Sequence, residues 1–312
     1  FILFYSGSKE MKTLRLSNLI IVLLAVGCTS AASRLVPDEY PNIQAAINAC
    51  NNGDTVIIAP GTYTGTGNRD IDFLAKAITV RGTNLNNPAV VASTVIDCQN
   101  AGRGFYFRRG EGRDSVLEGL TITNGQSELG GGIRCQASSP TIRFCVIERC
   151  AAEFGGGINA SAGDAAVTHC TLRNNHASYE GGAVEMSRCR GGLIGNCTIV
   201  NNSALLAGGG IYTYDSDPEI ANSIIAHNSS MPTNPLWGSG GGLFFYKGSS
   251  ASVVNCTIAD NSASDWGGGV VCYDSNVAIT NSIIWANAAP AWANSYPGMT
   301  ISYSDVEGGY PG

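Results

Sequence analysis

The chain has 312 residues, of which 13% are charged, and a formal net charge of -6. That balance argues against a nucleic-acid partner, whose phosphates call for a basic surface. Its 40 glycines and 11 prolines stay well under the roughly 25–30% combined share of low-complexity disorder, and no three-residue glycine period appears, which excludes a collagen.

Residues 1–10 precede Met11 and read as an upstream, non-native segment. Residues 11–32 carry the marks of a secretory leader. Lys12 and Arg15 stand ahead of an apolar run over residues 19–26, and Ser30-Ala31-Ala32 offers a small-residue cleavage position. The run is too short to span a bilayer, and no later segment reaches that length. Gly27-Cys28 forms a weak lipobox, with Ala25 where Leu is preferred. The mature chain, 33–312, is expected to be secreted or held at a bacterial cell surface. Export permits disulfides, but no CxxC pair points to zinc or thiol redox chemistry.

Ile43, Ala46, Ile47 and Cys50 fall at i, i+3, i+4, i+7, one apolar helical stripe. The spacing predicts a short helix over 42–50, with Pro41 in its first position and Asn51-Asn52-Gly53-Asp54 closing it. Strands begin at residues 55–59, and Pro60-Gly61-Thr62-Tyr63 turns the chain. Strand-like runs follow at 77–81, 94–97 and 104–107.

An internal repeat then dominates. Glycine clusters ending in an aliphatic residue recur at Ile133, Ile158, Val184, Ile211, Leu243 and Val270, spaced 25, 26, 27, 32 and 27. A small residue recurs in register at Gly119, Cys145, Cys170, Cys197, Ser223, Cys256 and Ser282. Five residues beyond it stands Asn124, Cys150, Asn175, Asn202, Asn228, Asn261 or Asn287. Aliphatic residues two apart mark short strands, and Gly and Asn at the breaks tolerate positive φ. A period of this size built from strands and bends predicts an all-β fold. It is a single-stranded right-handed parallel β-helix, a solenoid capped by the N-terminal helix because an open stack exposes sheet edges. Stacked coils turn equal positions into columns. The Asn column is read as a ladder of side-chain amides. Cys145, Cys170 and Cys197 are read as small buried thiols, although their spacing also allows bridging, and Cys50 and Cys98 could pair near the cap. The chain stops at Pro311-Gly312 partway through a coil and reads as truncated.

Gly53-Asp54-Thr55-Val56-Ile57-Ile58-Ala59-Pro60-Gly61-Thr62-Tyr63 resembles the start of pectin-lyase-like right-handed β-helix proteins of secreting bacteria. The repeats are similar to those of polymorphic outer-membrane proteins: Gly181-Gly182-Ala183-Val184 matches their first motif, and Ile199-Val200-Asn201-Asn202 carries Ile where their second has Phe. The resemblance implies a β-helix acting on or adhering to polysaccharide or cell-surface glycan. The motifs of the family's eliminases and hydrolases are missing.

The glycine clusters are not phosphate loops, since no Gly-Lys-Ser/Thr follows them. Sequons such as Asn196-Cys197-Thr198 are placed in inward-facing Asn columns, closed to glycosylation. His169, His176 and His227 form no Ser-His-Asp arrangement. Asp215, Asp217 and Glu219, near Asp274, share a face if extended and could hold Ca2+, with Lys247 the cation their coils supply; the alternative is a solvated acidic turn. Arg134, Glu185 and Arg173 could line a groove, yet ten Arg against nine acids over 101–190 also reads as mixed surface charge. Strand alternation sends Tyr212, Tyr214, Phe244, Tyr246, Val271 and Tyr273 outward. Five aromatics thus gather on one outer sheet beside Asp215, Lys247 and Asp274, a glycan-binding candidate. The expected role is non-catalytic binding or adhesion by a monomer needing no cofactor beyond Ca2+. The alternative is a lyase or hydrolase acting on uronate-containing polymers.

Overall fold

The computed structural model describes residues 31–231, 239–264, 266–288, 292–294 and 298–309. The upstream segment, the leader through Ser30 with Cys28, and Trp237 lie outside the described residues. No helix among the described residues is long and apolar enough to cross a membrane.

Each repeat folds as one coil of short strands. In the coil that begins at Ala166, the strands are Ala166–Thr168, Thr171–Arg173, His176–Glu180 and Val184–Ser187. Each contributes to a different parallel sheet. In chain order within a coil, these sheets have eleven, ten, six and nine strands among the described residues, and are called here the first, second, third and fourth. Like residues pair with like across coils: Ile142 with Val167 and Val167 with Ile194 in the first sheet, Ile147 with Leu172 and Leu172 with Ile199 in the second. The inward aliphatics therefore stack into one continuous buried core. Each such side chain contributes about 1.5–3 kcal/mol on burial.

Glycine is required where one coil crosses closest to the next. A Cβ on Gly209 would stand 2.2 Å from the carbonyl oxygen of Ser229, a separation no side chain tolerates.

The amide ladder runs down one corner of the stack. Nδ2 of Asn175 donates to Oδ1 of Asn202 (3.0 Å), and Nδ2 of Asn202 to Oδ1 of Asn228 (2.9 Å). Asn228 continues to Asn261 and Asn261 to Asn287, both at 3.0 Å. The backbone N–H of each donates to the same oxygen. Asn124 does not belong to it. Thr121 pairs with Val146, so Leu120 lies over Cys145 and Gly125 over Cys150, one position off the expected register. Asn124 instead takes the left-handed bend, φ 54°, and its Nδ2 donates to Asp97.

A second correction concerns Asn196, placed inward by the sequence reading, and its counterparts in later coils, Asn222, Asn255 and Asn281. They occupy left-handed bends and are exposed; the inward places belong to Cys197, Ser223, Cys256 and Ser282. The ten cysteines among the described residues are buried and carry no disulfide. Cys145, Cys170 and Cys197 stack without bridging, each Sγ donating to a carbonyl of the preceding coil at 3.8, 3.7 and 3.4 Å. Cys50 and Cys98 are unpaired.

The cap is the helix Ile43–Ala49, which buries Ile43, Ala46 and Ile47. Asn42 is its N-cap, accepting from the N–H of Ala45 at 2.8 Å, so Pro41 precedes the helix instead of opening it. Gly61–Tyr63 is a strand where a turn was expected. A second helix, Pro88–Ser93, buries Val91.

Candidate functional site

The outward face of the fourth sheet carries two parallel columns. In one, Tyr106, Arg134, Asn159, Glu185, Tyr212, Phe244 and Val271 follow one another, each paired with the next. In the other stand Gln136, Ser161, Ser187, Tyr214, Tyr246 and Tyr273. Sequence spacing thus places the aromatics correctly on an outer sheet, but not all of them face solvent. Tyr212 and Phe244 are only 4% and 5% exposed. They form a small apolar cluster with Ala207 and Val271, against which Leu206 packs. The connection into the glycine cluster folds back over this column and covers it.

The second column remains open. Tyr214 and Tyr246 are half-buried and Tyr273 is 42% exposed. Their ring centroids lie 5.9 and 5.6 Å apart. The Arg188 guanidinium sits 5.9 Å from the Tyr214 ring centre, and the Lys247 ammonium 5.3 Å from that of Tyr246.

The middle of the first column is polar and buried. Glu185 keeps 6% of its surface and Asn159 keeps 3%. Nδ2 of Asn159 donates to the Glu185 carboxyl, while Oδ1 of Asn159 has no partner. Glu180 closes the neighbouring strand, His176–Glu180. The tight turn at Gly181, φ 69°, brings the chain back so that Glu180 and Glu185 sense each other's charge. Burial, and then Glu180, push the Glu185 carboxyl up to about 8 against the pull of Arg134. Burial pushes Glu180 up to about 7, with the Tyr212 hydroxyl bonded to it and pulling the other way. Upstream, the guanidinium groups of Arg103, Arg108 and Arg134 surround the Tyr106 ring at 4.6, 4.9 and 5.3 Å. Spacing alone marked Arg134 and Glu185 as possible groove residues. Glu180 and Arg103 carried no signal, since neither follows the outward alternation of the sheet. Arg173 lies elsewhere, on the second sheet, paired with Glu148 at 2.6 Å.

Asp215 and Asp217, read above with Glu219 as Ca2+ candidates, meet a cation in the structure. Arg190, one coil earlier, pairs with Asp215 at 2.8 Å and Asp217 at 3.4 Å, and Oδ1 of Asp217 accepts from the Ser250 N–H. Their charge is answered by a cation from a neighbouring coil that sequence distance hid. Glu219 opens a strand of the first sheet. Among the described residues no three acidic, Cys or His side chains gather as a metal cage. His176 is held by Ser203 at 3.0 Å, and His227 lies 4.0 Å from Asp260. Glu128, Glu153 and His176 line an open depression of about 570 Å³ on the third sheet.

The family model for the right-handed β-helix region matches residues 165–306. Pectate lyase Pel9A superposes with a TM-score of 0.55, over 90% of this chain and 80% of that one, at 14% identity. The chain is a right-handed parallel β-helix, the fold it shares with pectate lyase Pel9A. At that identity the likeness speaks to fold alone. ORF18 of Geobacillus virus E2 is similar with a TM-score of 0.48 and 14% identity over 86% of this chain and 58% of that one. A rhamnogalacturonan lyase is similar with a TM-score of 0.41 and 13% identity over 89% and 87%. No curated protein matches the chain.

Proposed function

We propose that this β-helix binds polysaccharide along the outward face of its fourth sheet. The observation that carries the reading is the open row of Tyr214, Tyr246 and Tyr273, one ring per coil, with centroids 5.9 and 5.6 Å apart. The rings, tilted 48° and 41° to one another, offer an apolar face to sugars along the stack, and the cations and hydroxyls beside them meet the hydroxyl rims. The fold shared with pectate lyase Pel9A supports a polysaccharide ligand. The leader-like residues 11–32 support a secreted or cell-surface location, where such polymers are met.

The test is retention on insoluble polysaccharides. The wild type is expected to be held by at least one polymer of a panel, and replacement of Tyr214, Tyr246 and Tyr273 together by Ala should release it while the variant keeps the β-sheet circular dichroism spectrum and a cooperative melting transition. A wild type held by none, or a triple variant held as tightly, removes the proposal.

A further inference from the structure

We infer that Arg103, Arg108 and Arg134, gathered about Tyr106 at the upstream end of the fourth sheet, bind a tetrahedral oxyanion, sulfate or phosphate, as an ester group or a free ion. The site lies in earlier coils than the tyrosine row and stands without the binding reading above.

The strand Phe105–Phe107 buries its two phenylalanines and turns Tyr106 outward. Arg103 and Arg108 flank this strand, and Arg134 pairs with Tyr106 from the next coil. Their guanidinium carbons stand 4.6, 4.9 and 5.3 Å from the ring centre. The ring is fixed by its hydroxyl, which donates to Oε1 of Gln136, also on the next coil. An aromatic face offsets part of a cation's charge, but three cations at one ring repel one another.

The protein's own acids leave that charge unbalanced. Asp70 stands 3.6 Å from Arg103, beyond hydrogen-bond reach. Asp72 answers Arg108 at 2.9 Å and is shared with Arg109 at 3.1 Å. Arg134 forms no ion pair among the described residues, and its neighbours in the column, Tyr106 and Asn159, carry no carboxylate. The Nε of Arg134 and the Nε and Nη1 of Arg103 are buried without a hydrogen-bond partner. Arg103 is not free to swing into water, since its side chain is 14% exposed and its Nη2 donates to the Ser127 hydroxyl. Fixed guanidinium groups with donors left over call for an acceptor from outside.

The shape of the cluster selects among anions. A planar carboxylate is filled by one guanidinium fork, with two parallel hydrogen bonds. Here the forks come from both ends of one strand and from the coil beyond it. A sulfate or phosphate group presents terminal oxygens in several directions, so each fork meets its own acceptor. Its charge also removes the mutual repulsion of the cations.

The experiment is calorimetric titration of the full chain with sodium sulfate and sodium phosphate at fixed ionic strength, with acetate as the planar control. Sulfate and phosphate should bind saturably and acetate should not. Arg134→Gln should weaken both by ~10-fold or more. Arg134→Lys should not restore them, because an ammonium lacks the fork. Both substitutions break no ion pair, and both variants should keep a cooperative melting transition. Arg149→Gln removes an exposed cation at the bend after the second-sheet strand Val146–Glu148, and should titrate like the wild type. Gel retardation by dextran sulfate, lost in Arg134→Gln, places the oxyanion on a polymer; titration by the ions without retardation makes it a free ion, and either result upholds the site. No saturable binding of sulfate or phosphate, equal binding of acetate, or a loss in Arg149→Gln as large as in Arg134→Gln overturns the inference. None of these substitutions touches the tyrosine row, so failure here leaves the polysaccharide reading to its own test.

Discussion

Glu185 is a titratable side chain whose charge the fold suppresses. Burial first, and Glu180 second, raise it from an ordinary 4.5 to about 8. The folded state therefore holds a proton that the unfolded chain gives up. The resulting contribution is fully present below about 4.5 and is lost as pH rises through about 8. The melting temperature should fall across that window, and Glu185→Gln should flatten much of the fall. An equal slope in the variant would mean that the carboxyl is already ionised in the fold.

Between elements, the Asn ladder couples each coil to the next. Asn202 accepts from both the Nδ2 and the backbone N–H of Asn175 and donates onward to Asn228. Asn202→Ala strands two buried donors on Asn175, at a cost of roughly 1–3 kcal/mol. Urea unfolding should show a lower midpoint with an unchanged slope; an unmoved midpoint would count against the ladder. Much of this layer is legible in the sequence, because parallel stacking imposes the same demand at the same position of every coil. The glycine clusters, the aliphatic columns and Asn175 to Asn287 declare themselves that way. What repetition does not govern is hidden. Asn124 sits in a coil whose register differs by one residue from the sequence count. The bend asparagines such as Asn196 share the composition of the ladder but face water, since a left-handed residue points its side chain away from the corner. Tyr212 and Phe244 are outward by alternation and buried by Leu206 and Ala207, which belong to a connection without periodicity. The pairing of Arg190 with Asp215 and Asp217, and the approach of Glu180 to Glu185, arise from contacts between coils or around a turn.

At the scale of the whole molecule, the stack is one core without a seam, running from the cap helix to the last strands. Within it lie ten reduced cysteines among the described residues. Burial pushes several of these thiols up, Cys150 to about 12 and Cys189 and Cys272 to about 11. A thiol that cannot ionise and cannot be reached is inert toward oxidants and exchange. Unfolding removes that shelter from all of them together. Repeated heating scans should recover the transition when a reductant is present and progressively lose it under air, with cross-linked species visible on a non-reducing gel. Equal recovery in both would count against this view. On the proposed reading of a secreted protein, the shelter then acts as a clock. Its working life is set by how seldom the stack opens, because a chain that opens once in an oxidising medium is trapped by its own sulfur before it can wind itself up again.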